Sequence, residues 1–284
     1  MMRVEDLDGP RTVEEAVTGN LDELRWLGLD WDEGPDVGGP YAPYVQSQRD
    51  AFYEEALATL RQRDLIFECY LSRKDLRELA SAPHGQGFVY GRAERTENER
   101  CKVERIQSGK TPSLRFKVAP ERLQFDDLLA GERVVDTARQ VGDFVVRRAD
   151  GLWAYQLAVV VDDIAMGIDE VVRGDDLLTS TGAQLLLYRA LGETPPRYLH
   201  VPLLLSANGE RMAKRKGSLT LNALREAGIS APQVTGLLAY TLGLLPELKE
   251  VAPADLLADF SLDKLHREAF KVDGDLLNWL SSSR

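Results

Sequence analysis

The sequence is poor in cysteine and has no long hydrophobic run. Its two cysteines, Cys69 and Cys101, lie far apart and form no CxxC pair. This excludes a disulfide framework and favours a reducing compartment. The richest apolar stretches, 157–161 and 201–205, are much shorter than the roughly 20 residues of a membrane span, and the acidic N-terminus lacks the apolar core of a signal peptide. We therefore expect a cytoplasmic protein with no membrane partner.

Basic residues are also in the minority, because the net charge is −11. Taken alone, an acidic balance counts against a nucleic-acid partner, since phosphate binding favours a basic surface. Two local clusters of basic residues, 92–105 and 211–216, could still form a basic face. Composition by itself favours the simpler interpretation that each cluster is a solvated surface.

Hydrophobic spacing predicts strands that alternate with helices. Helices are predicted over 13–27 (ending at Gly28), from Ser47 and Asp50 onward, and over 180–191; strands are predicted over 65–71, 114–118, 144–146, 153–161, 170–172 and 198–205. Because residues 157–161 are continuously apolar, that strand is expected to be buried on both faces. The polar stretch 73–112 is expected to be an irregular insertion with short helices. This order predicts an α/β fold with an open, Rossmann-like parallel sheet.

The start of the sequence is unusual for such a sheet. The chain opens directly on Arg3-Val4-Glu5-Asp6, whereas a doubly wound sheet normally begins with a strand and a helix before its second strand. We therefore expect the first strand–helix unit to be missing, and the true N-terminus to lie upstream of Met1.

Three motifs occur together in one order. The first is RVEDLDGPR at 3–11, the second is AYQLAVVVDD at 154–163 followed by VVRGDDL at 171–177, and the third is GERMAKRKG at 209–217. Their order and spacing resemble the class I glutamyl-tRNA synthetases, and the segment 67–81 resembles the insertion of that family. The resemblance runs over nearly the whole chain.

The resemblance implies a class I synthetase fold in four segments: a first half of the nucleotide-binding fold (1–64), an inserted acceptor-type domain (65–150), a second half with a KMSKS-like loop (151–218) and a helical C-terminal region (219–284). It implies an ATP-dependent ligase that forms glutamyl-adenylate and passes glutamate to a tRNA. The best match is to short members that lack an anticodon-binding domain and modify the queuosine base of tRNA(Asp), because the 70 residues after Lys214 are too few for a further domain of about 100 residues. We expect a monomer.

Three residues are candidates for glutamate binding. A carboxylate at a strand end, Glu5, could hold the ammonium group of an amino acid, and Arg173 could hold a carboxylate in a bidentate manner. Tyr155 offers a hydroxyl group beside the predicted buried strand. Without the resemblance, the simpler interpretations are a surface acid, a structural ion pair and a core tyrosine. The resemblance favours a substrate site.

The third motif implies contacts to ATP. A mobile lysine after the Asn208-Gly209 turn could stabilise the charge that develops as pyrophosphate leaves, and the resemblance assigns this role to Lys214. Arg211 stands where the family has its first lysine and Ala213 where it has serine, so positive charge is kept at both basic positions. ATP implies Mg²⁺, for which no ligand can be named.

The sequence departs from the family at two other places. Related short enzymes often carry a zinc site of three cysteines and a tyrosine; Cys69 and Tyr90 match two of these ligands, but Leu71 and Glu94 stand at the others, so we expect the zinc site to be lost. The HIGH-type motif has no counterpart. The histidines are isolated, and a structural or surface role is expected for each: His84, His200 and His266.

Two alternatives stay open at this point. The chain could be a fragment of an ordinary glutamyl-tRNA synthetase, or a catalytically dead paralogue that binds tRNA or a partner protein.

Overall fold

The computed structural model describes residues 1–7, 14–72, 74–76, 89–212 and 220–282. The helices are α1 (Glu14–Trp26), α2 (Asp50–Gln62), α3 (Arg92–Gln107), α4 (Tyr155–Ala165), α5 (Thr181–Leu191), α6 (Leu221–Glu226), α7 (Ala231–Thr241), α8 (Pro253–Leu256) and α9 (Gly274–Ser282). The strands are β1 (Ile66–Cys69), β2 (Ser113–Phe116), β3 (Arg122–Asp127), β4 (Gly131–Asp136), β5 (Phe144–Arg147), β6 (Glu170–Gly174), β7 (Arg197–Val201), β8 (Leu204–Ser206) and β9 (Phe270–Val272). No helix in this described part is long and apolar enough to cross a membrane.

A four-stranded sheet in the order β4-β3-β7-β6 forms the centre of the fold. Strands β3, β7 and β6 are parallel, and β4 is an antiparallel edge strand. Arg173 on β6 is the register partner of His200 on β7, and Asp127 on β3 is the register partner of Tyr198. Parallel strands place their carboxyl ends along one edge of a sheet, where α/β proteins bind ligands. The expected α/β fold with parallel central strands is confirmed.

Helix α4 corrects one prediction. Residues 153–161 were expected to form a strand buried on both faces, but the chain is helical from Tyr155 to Ala165. The apolar run from Leu157 to Val161 is buried because α4 packs in one cluster with buried side chains of α2 and α5, such as Leu57 and Leu187. A short, continuously apolar run has the same pattern in a buried strand and a buried helix.

A second correction concerns the insertion. Strands β1, β2 and β5 form a separate antiparallel sheet, and beside it lies α3, a helix of 16 residues where only short helices were expected. Asn98 is its buried residue, and its side chain bonds the backbone at Glu68 and Tyr70. Because the rest of α3 is mostly charged, no apolar stripe marks it in the sequence.

The other predicted elements lie close to their expected places. Helix α1 ends two residues before Gly28, which adopts a positive φ of 82°, as a residue that ends a helix often does. Helix α2 begins at Asp50, but Ser47 does not cap it; the hydroxyl of Ser47 donates to Asp6 at 2.6 Å. The strand predicted over 198–205 is divided into β7 and β8 at Pro202, which has no N–H to give to a ladder. The division into four segments stays a prediction.

Candidate active site

The fold brings together three predicted residues that are distant in the sequence. Tyr155 is the first residue of α4, and its hydroxyl group lies close enough to Arg173 from β6 and to Glu5 for both charges to act on its pKa. Burial raises the pKa of Tyr155, Glu5 raises it further and Arg173 opposes the shift. The hydroxyl is therefore neutral at physiological pH, with an anionic and a cationic side chain near it.

Arg173 is fixed by several acceptors at the end of β6. Its Nε donates to Nε2 of His200 at 3.0 Å, and its Nη2 donates to Oγ1 of Thr181 at 2.9 Å. The guanidinium carbon lies 5.2 Å from the ring centroid of Tyr198, within the range of a cation–π contact. None of these contacts is with a carboxylate. They therefore leave the positive charge of Arg173 available to a bound anion.

His200 is buried behind Arg173, and no local sequence pattern indicates this contact. Its Nδ1 lies 2.6 Å from Oδ2 of Asp127, and both side chains are fully buried. Burial lowers the pKa of His200, although Asp127 opposes the shift, so the imidazole is neutral near pH 7. This is a buried, hydrogen-bonded histidine, as the expected structural role implies, and its contact with Arg173 depends on the register between β6 and β7.

Glu5 is oriented by Arg3. One guanidinium nitrogen of Arg3, Nη2, lies 2.9 Å from Oε1 of Glu5, and the other, Nη1, lies 2.7 Å from Oδ1 of Asp163. Asp163 is on α4, so this contact ties the first residues of the chain to the helix that begins with Tyr155. Glu5 remains partly exposed and could accept hydrogen bonds from an ammonium group.

A second carboxylate on α4, Asp162, has a structural role. It accepts from Arg49 at 2.6 Å, from Gln46 at 2.7 Å and from Tyr53 at 2.9 Å. These contacts join α2 and the turn before it to α4. Sequence reasoning missed both this carboxylate and Asp163, because the segment was interpreted as a strand whose apolar part ended at Val161.

Arg211 lies near the rim of the site, and Lys214 lies outside the described residues. Arg211 follows β8, forms an isolated bridge with Leu205 and pairs with Asp176. Asp176 lies three residues after Arg173, in the 3₁₀ helix Asp175–Ser180. The predicted ATP-binding arginine is therefore anchored close to the predicted carboxylate-binding arginine.

The predicted remnant of a zinc site does not offer four ligands. Sγ of Cys69 lies 3.6 Å from the hydroxyl of Tyr90, while the carboxylate of Glu94 accepts from the backbone of Gly91 at 2.8 Å. Leu71 packs as an apolar side chain in the same cluster. Within the described ranges, no group of three or more His, Cys, Asp or Glu side chains is arranged to hold a metal. The residues present do not fit tetrahedral zinc.

Residues 1–251 match the family model described as "tRNA synthetases class I (E and Q), catalytic domain". Among curated proteins, the chain is similar to "Glutamyl-Q tRNA(Asp) synthetase" of Symbiobacterium thermophilum, with 47% identity over 99% of this chain and 88% of that protein. The protein of the same name from Nitratidesulfovibrio vulgaris is 46% identical over 99% of this chain and 87% of that protein.

Among solved structures, the fold is similar to that of a glutamate tRNA ligase from Elizabethkingia meningosepticum, solved in complex with its amino acid. The TM-score is 0.79 at 24% sequence identity, and the match covers 98% of this chain and 61% of that one. At this identity the likeness concerns the fold.

Proposed function

Because the chain belongs to the class I tRNA synthetases of the glutamate and glutamine type, we propose that it activates glutamate with ATP and transfers it to the queuosine base of tRNA(Asp). The proposed activity is the one after which two relatives are named, and these are 47% and 46% identical over 99% of the chain. The observation that carries it in the structure is the convergence of Glu5, Tyr155 and Arg173 on one site.

The charges of this site are complementary to those of glutamate. Glu5 would accept from the α-ammonium group, and Arg173 would donate to a carboxylate, which a planar guanidinium can grip with two parallel hydrogen bonds. The Tyr155 hydroxyl group, which lies near Arg173, would donate or accept between the two. Since the three side chains come from separate elements, their spacing is set by the fold and could select the length of the amino acid.

The reaction proceeds in two steps. In the first, a carboxylate oxygen of glutamate attacks the α-phosphorus of ATP, and pyrophosphate leaves to give glutamyl-adenylate. Arg211 and Lys214 would stabilise the negative charge that develops on the phosphates, with Mg²⁺ bound to ATP. In the second, a hydroxyl group of queuosine attacks the activated carbonyl, the glutamyl ester forms and AMP leaves.

The acceptor is proposed to be tRNA(Asp), and the chain is proposed to act as a cytoplasmic monomer. Transfer to tRNA(Glu) would instead favour a fragment of an ordinary glutamyl-tRNA synthetase. Binding of tRNA with no formation of adenylate would favour the catalytically dead paralogue.

The site is tested by calorimetric titration of glutamate into the chain and its variants. Arg173→Gln is expected to weaken binding by about 100-fold, the scale of a lost charged hydrogen-bond pair. Arg197→Gln is the matched control, because this exposed arginine on the neighbouring strand pairs with Glu170 at 3.0 Å and is expected to leave the affinity unchanged. Equal affinities for all three proteins would refute the proposed site.

A further inference from the structure

Asp127, His200 and Arg173 form a row across three adjacent parallel strands. Asp127 ends β3, His200 is on β7 and Arg173 is on β6. His200 connects the two charged residues, through Nδ1 to Asp127 at 2.6 Å and through Nε2 to Nε of Arg173 at 3.0 Å. The carboxylate and the guanidinium are therefore connected by hydrogen bonds to the two nitrogens of one buried imidazole.

The carboxylate of Asp127 dictates which ring nitrogen carries the proton. Its Oδ1 accepts from the backbone of Ala130 at 2.7 Å, of Leu129 at 3.0 Å and of His200 at 3.3 Å. Burial raises the pKa of Asp127, but these bonds and the one from the imidazole outweigh burial and lower it. An ionised carboxylate only accepts hydrogen bonds. Nδ1 of His200 must therefore hold the proton, and Nε2 presents a lone pair.

That lone pair determines the orientation of the guanidinium. Arg173 has only donors, so Nε can point at Nε2 only while Nε2 is unprotonated. Together with the bond from Nη2 to Thr181 at 2.9 Å, two of the three guanidinium nitrogens are held by neutral acceptors. A planar group anchored at two nitrogens cannot rotate about its own axis, so the direction of its remaining donors is fixed.

We infer that Asp127 and His200 are positioning residues, which act through the histidine tautomer to orient Arg173 toward the carboxylate of glutamate. The inference rests on the proposed role of Arg173. Neither positioning residue needs to touch the substrate. Packing of the sheet explains why Asp127 and His200 are buried. It does not explain why Nε2 of His200, the acceptor nitrogen, points at Arg173.

The surroundings of His200 favour the neutral imidazole. Arg173 faces it from β6, and Thr181 from α5 lies 3.4 Å from Nε2. The ring of Tyr198 on β7 stacks against it at 6.1 Å. Asp127 on β3 and the nearby Asp175 favour protonation, while burial and Arg173 oppose it, and the net effect lowers the pKa of His200.

The decisive variant is Asp127→Asn. Its side-chain carbonyl can keep the bonds to the backbone, while its NH₂ group would face Nδ1 and force the proton onto Nε2. Nε2–H of His200 and Nε–H of Arg173 would then be two donors that face each other with no acceptor between them. The wrong tautomer of the histidine therefore breaks the hydrogen bond to Arg173. We expect the affinity for glutamate to fall by about 10-fold or more, while the affinity for ATP stays within about 2-fold.

A pair of substitutions at His200 separates positioning from simple packing. His200→Asn keeps a donor for Asp127 but has no acceptor for Arg173, and is expected to lose about 10-fold or more in glutamate affinity. His200→Gln can place Oε1 where Nε2 lies, and is expected to restore most of the affinity. If the role were packing alone, the two variants would lose affinity in parallel with their thermal stability.

The readouts are the dissociation constant for glutamate by calorimetry and the imidazole ¹⁵N shifts by NMR. The chain has three histidines, so the signals missing in His200→Gln identify His200. The inference requires the Nδ1–H tautomer in the parent protein and the Nε2–H tautomer in Asp127→Asn. If Asp127→Asn does not fold, the tautomer of the parent protein and the two His200 variants decide.

The outcomes distinguish the failure of this inference from the failure of the proposed site. A weakened Arg173→Gln together with unchanged Asp127→Asn, or equal losses in His200→Asn and His200→Gln, overturns this inference and leaves the proposed site standing. An unchanged Arg173→Gln overturns the proposed site, and the inference falls with it.

Discussion

Arg49 donates through Nε to Oδ1 of Asp162 at 2.6 Å, and both side chains are excluded from solvent. This buried ion pair joins the start of α2 to α4, the helix whose first residue is Tyr155. The next residue on α4, Asp163, holds Arg3 at 2.7 Å, and Arg3 in turn holds Glu5 at 2.9 Å. Two adjacent carboxylates therefore set the place of α4 and of the N-terminal segment that carries Glu5.

The first prediction is that Asp162→Asn destabilises the fold strongly. Removing one partner leaves the charge of Arg49 buried without compensation, which costs about 3–5 kcal/mol in unfolding free energy. The matched control is Glu121→Gln, which breaks the more exposed pair between Glu121 and Arg189 and should cost about 1 kcal/mol or less. Urea unfolding measures both, and equal losses would show that the buried pair does not hold α4 in place.

The second prediction concerns Lys214, which lies outside the described residues. Lys214→Ala should lower glutamate-dependent pyrophosphate exchange by about 100-fold or more, the scale of one lost contact to the charge of the transition state. Lys249→Ala removes an exposed lysine elsewhere and should leave the exchange rate unchanged. A Lys214 variant with the exchange rate of the parent protein would remove this lysine from the mechanism.

The third prediction is that the purified protein holds no stoichiometric zinc. Cys69 and Tyr90 offer one sulfur and one phenol, Leu71 offers no ligand atom, and the carboxylate of Glu94 is bonded to the backbone of Gly91. A tetrahedral structural site needs four ligands. Elemental analysis after dialysis is expected to find far less than one zinc per chain. One zinc per chain would contradict the prediction, and Cys69→Ser would then show whether Cys69 binds it.

The fourth prediction is a pH dependence of stability that His200 causes. Its pKa in the folded protein is lowered by burial below the ordinary 6.5, so the unfolded chain binds a proton before the folded chain does. The stabilising contribution is therefore complete well above pH 6.5 and is lost as the pH falls below 6.5 toward the folded-state pKa. Between pH 7.5 and 5.5, the parent protein should lose up to about 1.4 kcal/mol more unfolding free energy than His200→Gln.

Urea unfolding at several pH values checks this prediction. Other groups that titrate in this range are shared by the two proteins, so their contributions cancel in the difference. Parallel curves for the parent protein and His200→Gln would mean that His200 titrates alike in the folded and unfolded chains.

The motifs predicted which residues belong to the candidate site better than they predicted the elements and contacts that position those residues. Glu5, Tyr155 and Arg173 could be named because their motifs resemble those of a known family, and the structure brings them together, while their roles stay proposals. The contact between His200 and Arg173 could not be predicted, because it depends on the register of two strands that are separated by a helix. Helix α4 was mistaken for a strand because its first turn carries no capping signal; its N-cap, Ala154, makes no side-chain bond.

The central claim, transfer of glutamate to queuosine, is tested most directly with radiolabelled glutamate, ATP and three RNAs. These are tRNA(Asp) that carries queuosine, the same tRNA from cells that cannot make queuosine, and tRNA(Glu). We predict that the chain places label on the first alone, and that Arg173→Gln reduces this transfer while Arg197→Gln does not. Label on tRNA(Glu), equal label on both forms of tRNA(Asp), or no label on any of the three would contradict the proposed function.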